Sequence, residues 1–173
     1  MRIGVISDTH LPRFGLSLPQ ALIDGLREAR VGQILHLGDW TQPFVLDLLA
    51  EIAPTDGVGG NNDPPELVAR LGRRKVVTVQ GVRLGLTHGD IGPGRTTPQR
   101  ALRAFADEAG LAAILFGHSH IPLVQRLPDG GWLVNPGSPT DKRRQPGFTW
   151  ALLEVAGGTV DGVSIQMFGP PER

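Results

Sequence analysis

Four of the five histidines in this 173-residue chain stand in short polar segments that also carry Gly and, in most cases, Asp. The segments are Asp8-Thr9-His10, Gly38-Asp39, Gly60-Asn61-Asn62-Asp63, His88-Gly89-Asp90 and Gly117-His118-Ser119-His120. Imidazole nitrogen suits Zn, Fe, Ni and Mn, whereas carboxylate and carbonyl oxygens suit harder ions. Asp8, His10, Asp39, Asn61, His88, His118 and His120 offer seven side chains. That is too many for one tetrahedral ion and suits two ions sharing a carboxylate. Two metals about 3.5–4 Å apart can clamp the attacking and leaving oxygens of a phosphoryl displacement. One such histidine alone reads as an ordinary surface or core residue; four in this arrangement do not. The neighbouring glycines let a backbone turn sharply and approach a ligand closely.

Each segment follows an apolar run that reads as a buried strand. Strands are expected over 2–7, 33–37, a short third one ending at 57–59, 75–80, 82–87 and 112–116. Helices are expected over 18–29, where Leu18, Leu22, Ile23 and Leu26 recur at helical spacing, and over 43–52, 65–71 and 97–108. A tight Gln80-Gly81 turn predicts a hairpin between 75–80 and 82–87. Two more hairpins are expected in the tail. One joins 123–127 and 132–135 around Pro128-Asp129-Gly130-Gly131, the other 148–155 and 160–167 around Gly157-Gly158. The first half thus reads as parallel α/β and the tail as antiparallel, which predicts a mixed sheet pair flanked by helices. In such sheets ligands bind at the carboxyl ends of the strands, where all five polar segments fall.

Hydrophobic residues make up 40% and charged residues 20%. This is ordinary globular composition, and the length fits a single domain spanning 1–173 with its own core. Lys plus Arg and Asp plus Glu both number 17, so no global field draws the chain to nucleic acid or a membrane surface. An anionic substrate must therefore be attracted by a local site. There are no cysteines, which removes disulfides, thiolate metal sites and cysteine nucleophiles. It also agrees with a cytoplasmic setting. Asp8 comes too early for a signal-peptide apolar region, and no apolar run is long enough to cross a bilayer.

The five segments, in order and with Thr87 before His88, resemble the calcineurin-like metallophosphoesterase family. Asn135-Pro136-Gly137-Ser138 further resembles the late loop of its small prokaryotic phosphodiesterase branch. The resemblance implies a four-layer α/β/β/α sandwich with two mixed sheets. It implies that Asp8, His10 and His120 hold one divalent ion, that Asn61, His88 and His118 hold a second, and that Asp39 bridges them. Asp39, Asn61 and His88 are then the catalytic residues, and a metal-bridging hydroxide attacks phosphorus in line. Mn is the first expectation for both ions, with Ni, Fe, Zn and Mg as alternatives. A small phosphodiester or nucleotide-like molecule is the expected substrate, nucleic-acid ends included, and a homo-oligomer stays open. The competing reading is a non-catalytic scaffold, as in a retromer subunit of the same family whose metal centre is degraded. All seven candidate ligands are present here, which favours an enzyme. A nucleic-acid-binding module lacks the expected basic face.

One position departs from the commonest family pattern. Many members carry His after the Asn of the Gly-Asn motif; this chain has Asn62, whose amide cannot act as a general acid. Diesters or activated esters are therefore expected over monoesters with poor leaving groups. Asn62, Arg13 and Arg95 are the candidate substrate contacts, although a solvated arginine is the default. His36 is expected to face away from Asp39 in a structural or supporting role. Asp63 is expected either to accept a hydrogen bond from a ligating imidazole or to cap the following helix. Asp90 and Lys142-Arg143-Arg144 read as solvated loop residues, and Trp40 and Trp132 as packing.

Overall fold

The computed structural model describes residues 1–169. In chain order the elements are β1 (Arg2–Ile6), α1 (Gln20–Glu28), β2 (Gln33–His36), α2 (Phe44–Ala50), β3 (Thr55–Gly57), α3 (Pro65–Leu71), β4 (Arg74–Val79) and β5 (Val82–Thr87). They continue with α4 (Thr97–Ala104), β6 (Ala113–Leu115), β7 (Leu123–Arg126), β8 (Trp132–Asn135), β9 (Phe148–Ala156) and β10 (Thr159–Phe168). One sheet has the order β10-β9-β1-β2-β3 and the other β4-β5-β6-β8-β7. β1, β2 and β3 run parallel, with α1 and α2 as their crossovers. β9 and β10 close that sheet antiparallel. In the second sheet β5, β6 and β8 are parallel, and the β4–β5 and β7–β8 hairpins are antiparallel.

Alternation along the strands separates three apolar interfaces. Ile3 and Val5 of β1 meet Leu84 and Leu86 of β5 and Val134 of β8 in a cluster between the sheets. Ile6 and Ile34 point the other way and pack on Leu22 and Leu26 of α1, Leu49 of α2 and Leu67 of α3. Ile114 and Leu133 on the outer face of the second sheet pack on Ala101 of α4 and on Phe105. Helices, sheet, sheet and helix thus make four layers, as the residue pattern and the resemblance lead one to expect. Burying each layer's apolar face stabilises the stack by about 25 cal/mol per Å² removed from water.

The element ends differ where local chemistry intervenes. α1 begins at Gln20, not Leu18, because Leu18 precedes Pro19, and a residue before proline is driven out of the helical region. α4 starts at a capping box formed by Thr96 and Gln99 but stops at Ala104, since Phe105 has already left helical geometry at φ −120°. The third strand lies at Thr55–Gly57, slightly earlier than expected. Among the described residues no helix is long and apolar enough to cross a membrane.

Candidate metal centre

Parallel register brings the candidate ligand loops level. Ile6 pairs with His36 and His36 with Gly57, so the loops after β1, β2 and β3 leave one edge of their sheet together. Leu86 pairs with Leu115, which does the same for the loops after β5 and β6. The loops then bind one another through the backbone. Asp8 N–H donates to Gly38 O at 3.0 Å, His10 N–H to Asp39 O at 3.0 Å, and Gly117 N–H to His88 O at 3.0 Å. In these loops Asp8, His10, Asp39, His118 and His120 have φ between 45° and 67°. For non-glycine residues that conformation costs about 1–3 kcal/mol each, a strain that clusters where side-chain placement matters. Gly60 and Gly117 are required by close approach. A Cβ on Gly60 would sit 2.2 Å from Asp39 Oδ1, and one on Gly117 would sit 1.9 Å from Ser7 Oγ.

All seven side chains singled out in the sequence come together. Asp8, His10 and His120 form one group and Asp39, His88 and His118 a second; within each, one ligand-type atom per residue lies within 4.8 Å of the others. In the first, His120 Nε2 is 3.3 Å from Asp8 Oδ1 and 3.4 Å from His10 Nε2. In the second, His88 Nε2 is 3.3 Å from Asp39 Oδ2 and 3.1 Å from Asn61 Oδ1. Asp39 Oδ2 is also 3.5 Å from His10 Nε2, so this carboxylate lies between the groups.

Backbone carbonyls fix two of the imidazoles. His88 Nδ1–H donates to Leu37 O and His120 Nδ1–H to Asp141 O, each at 2.7 Å. Their Nε2 atoms therefore face the carboxylates, the orientation that metal-ligating histidines use. Electrostatics point the same way. Burial acts to raise Asp8, but hydrogen bonds from His10 and His120 and the charges of His88 and His120 hold it well below the usual carboxylate range. Burial likewise opposes Asp39 ionisation, yet His88 and Asn62 hold it at about 2. His88 is pushed up to about 9: burial would lower it, but the Asp39 hydrogen bond and the charges of Asp8 and Asp39 win. Asp8 Oδ1 is buried, and apart from His120 Nε2 at 3.3 Å and His10 Nε2 at 3.7 Å it meets no donor. An anionic oxygen so placed is costly unless a cation meets it. A pair of divalent ions fits this donor set of two carboxylates, one amide oxygen and four imidazoles.

The surrounding residues divide differently from expectation. His36 is fully buried. Its Nδ1 accepts Gly38 N–H at 3.2 Å, so Nε2–H donates to Thr9 Oγ1 at 3.2 Å, and its ring stacks on Trp40 at 3.8 Å. It braces the Asp8 and Asp39 loops from behind. Asp63 neither meets an imidazole nor caps α3, whose N-cap is Pro64 with no side-chain bond. Its oxygens instead accept three backbone N–H groups, from Asp39 at 2.9 Å, Gly60 at 2.7 Å and Thr41 at 2.7 Å. The tight Gly60 turn folds Asp63 back onto the Asp39 loop. Asp90 is not solvated, because its side chain is only 9% exposed and pairs with Arg73. Asn62 is exposed, but its amide is turned to Asp39 Oδ2 at 2.8 Å. Arg13 is exposed and lies over Phe14, and Arg95 is exposed beside Gln99; the structure brings neither onto the seven. Trp40 is core, as expected, with its indole N–H on Val58 O.

Residue types alone did not disclose the outer supports. Ser138 Oγ donates to Asp8 O at 2.8 Å, and Thr140 Oγ1 donates to Thr9 O at 2.7 Å. Asn135 Nδ2 donates to Gly117 O at 2.9 Å. The Asn-Pro-Gly-Ser segment was the one signal that could have found them.

Comparison with known proteins agrees with this geometry. The model of the calcineurin-like phosphoesterase superfamily domain matches residues 1–158. A protein of Methanothermobacter thermautotrophicus named "Probable metallophosphoesterase" is 39% identical over 170 residues, covering 98% of this chain and 95% of its own. The vacuolar protein sorting-associated protein 29 of Schizosaccharomyces pombe is 28% identical over 171 residues, covering 92% and 88%. The crystal structure of Chaetomium thermophilum Vps29 superimposes with a TM-score of 0.76 at 25% identity, covering 99% of this chain and 100% of that one. With residues 1–158 matched by the family's domain and the candidate ligand loops of both sheets brought together, the chain belongs to the calcineurin-like phosphoesterase superfamily.

Proposed function

We propose that the chain is a phosphodiesterase that works with two divalent metal ions, Mn first among them. The observation that carries this reading is the Asp39 carboxylate, set between two groups of ligand-type side chains. Asp8, His10 and His120 would hold one ion, Asn61, His88 and His118 the other, and Asp39 both. Bound there, the pair would supply Lewis-acid activation of water and of the phosphoryl oxygens. The protein's own part is placement. Leu37 O and Asp141 O hold the His88 and His120 rings, while Asn62 holds both oxygens of Asp39.

Asn61 and Asn62 are exposed, so the second group is the one that substrate reaches from solvent. No imidazole follows Asn61 to protonate a departing alkoxide, which favours phosphodiesters with acidic leaving groups, nucleotide-like ones included. The complete ligand set also favours catalysis over the scaffold role suggested by the Vps29 likeness. The deciding experiment is hydrolysis of a panel of phosphodiesters and monoesters by protein reconstituted in turn with Mn, Ni, Fe, Zn and Mg. Diester hydrolysis that rises to a plateau at two ions per chain supports the reading. Metal binding without hydrolysis of any member of the panel would favour the scaffold.

A further inference from the structure

We infer that Arg73 is a positioning residue for the Asn61, His88 and His118 side of the site, acting as a staple between the two sheets. The inference rests on the two-metal reading above. Asp39 and Asn61 come from loops of one sheet, His88 and His118 from loops of the other. The geometry of the group therefore depends on how the two sheet edges are held together.

The short link between α3 and β4 lies at this junction. Gly59 N–H donates to Gly72 O at 2.7 Å, and Thr87 Oγ1 donates to Arg73 O at 3.4 Å. Between these contacts the Arg73 guanidinium spans the gap. Nη1 donates to Gly60 O at 2.6 Å, and Nη2 pairs with Asp90 Oδ2. One side chain thus grips the carbonyl immediately before Asn61 and the carboxylate two residues after His88. Those two side chains meet at 3.1 Å. Asp90 depends on this grip, since its side chain is nine-tenths buried and its other oxygen has no donor. A planar guanidinium holds two acceptors at a fixed angle; a lysine ammonium of shorter reach and no fork does not.

The other group is held by a different device. Ser138 donates to Asp8 O, and Asp141 O receives the His120 Nδ1–H. Disturbing Arg73 should therefore weaken one metal position and spare the other, which a general loss of stability would not do.

Calorimetric titration of the chelator-stripped full chain with Mn²⁺ tests this, using the wild type, Arg73→Lys, Asp90→Asn, His118→Ala and Arg73→Lys/His118→Ala. Circular dichroism checks that each is folded, and Asp90→Asn breaks the same staple should Arg73→Lys fail to fold. The wild type should bind in two steps, one of which His118→Ala removes. Arg73→Lys should weaken that same step by about 10–100-fold, the usual cost of losing an outer support, and leave the other unchanged. In the His118→Ala background Arg73→Lys should have no further effect. Two wild-type steps that Arg73→Lys and Asp90→Asn leave alone, or weaken equally, would overturn the inference and leave the two-metal reading standing. A single wild-type step would overturn both.

Discussion

Asn62 holds both carboxylate oxygens of Asp39, its backbone N–H donating to Oδ1 at 2.9 Å and its side-chain amide to Oδ2 at 2.8 Å. The carboxylate is therefore oriented before any ion arrives, with Oδ2 turned between His10 and His88. Asp39→Asn removes a negative charge from this position and puts an amide in its place. Activity should fall far more than in His36→Ala, where an outer-support role predicts a loss of at most about 10–100-fold. Steady-state rates of the two folded variants under saturating Mn²⁺ check the ranking. Equal losses would mean that His36 does more than brace the loops.

His36 also makes stability depend on pH. Burial, aided by the charges of His88 and His10, lowers it from 6.5 to about 3, so the folded protein keeps this ring neutral. Its contribution is fully present above pH 6.5. It is lost as pH falls from there through the folded value, because the unfolded chain binds a proton that the native one refuses. From 6.5 to 3 the loss is on the order of 4–5 kcal/mol at about 1.36 kcal/mol per pH unit. Urea unfolding between pH 7 and 4 in the presence of a chelator should show a steeper decline for the wild type than for His36→Gln. Parallel declines would show that the His36 ring can charge in the folded state.

Asp63 supports the backbone of the Asp39 and Gly60 loops. Its carboxylate satisfies the N–H groups of Asp39, Gly60 and Thr41 at once. Asp63→Ala strands all three, and a buried donor left without a partner costs about 1–3 kcal/mol. Thermal unfolding should show the loss, together with weaker Mn²⁺ binding, because the Asp39 and Gly60-Asn61 loops part. Asp63→Asn keeps one accepting oxygen and should fall between the wild type and Asp63→Ala. An Asp63→Ala protein with unchanged melting and metal affinity would show that water can replace the carboxylate.

The positions that carry chemistry were legible because their signal is local. Asp, His and Asn beside Gly, directly after Val- and Leu-rich runs, identify strand-end loops whatever the tertiary arrangement. The four layers were legible in part, because periodicity distinguishes helix from strand but not which strands share a sheet. His36 was legible as a support, but the partners of the other supports were not. Asp63 receives backbone N–H groups from a loop more than twenty residues away. Arg73 reaches a carbonyl and a carboxylate in two different sheets. Backbone partners carry no residue type, so such contacts leave no mark on composition or spacing. Asp90 reads as solvated in the sequence because its burial is set by the side chain of Arg73, seventeen residues earlier.

Residue 62 bears on how the leaving group departs. Asn62 stands where the commonest pattern of the resembled family has His, and its amide is committed to Asp39. With no side chain there to donate a proton, rates should depend steeply on leaving-group acidity. Aryl phosphodiesters should be hydrolysed much faster than alkyl monoesters, because an aryl oxide departs unprotonated. Asn62→His introduces a potential donor at the exposed rim, where a general acid is worth about 10²–10⁴ in rate. The gain should fall below that range, since the substitution also removes the side-chain bond that helps to orient Asp39. The backbone bond from residue 62 to Asp39 Oδ1 does not depend on the side chain and should survive. The expected signature is therefore selective, with slow alkyl esters improved and fast aryl esters unchanged or slower. Rates for wild type and Asn62→His across esters of graded leaving-group pKa measure both slopes. A flat slope in the wild type would show that another group already delivers the proton. A uniform fall across the series in Asn62→His would show that residue 62 serves only to hold Asp39.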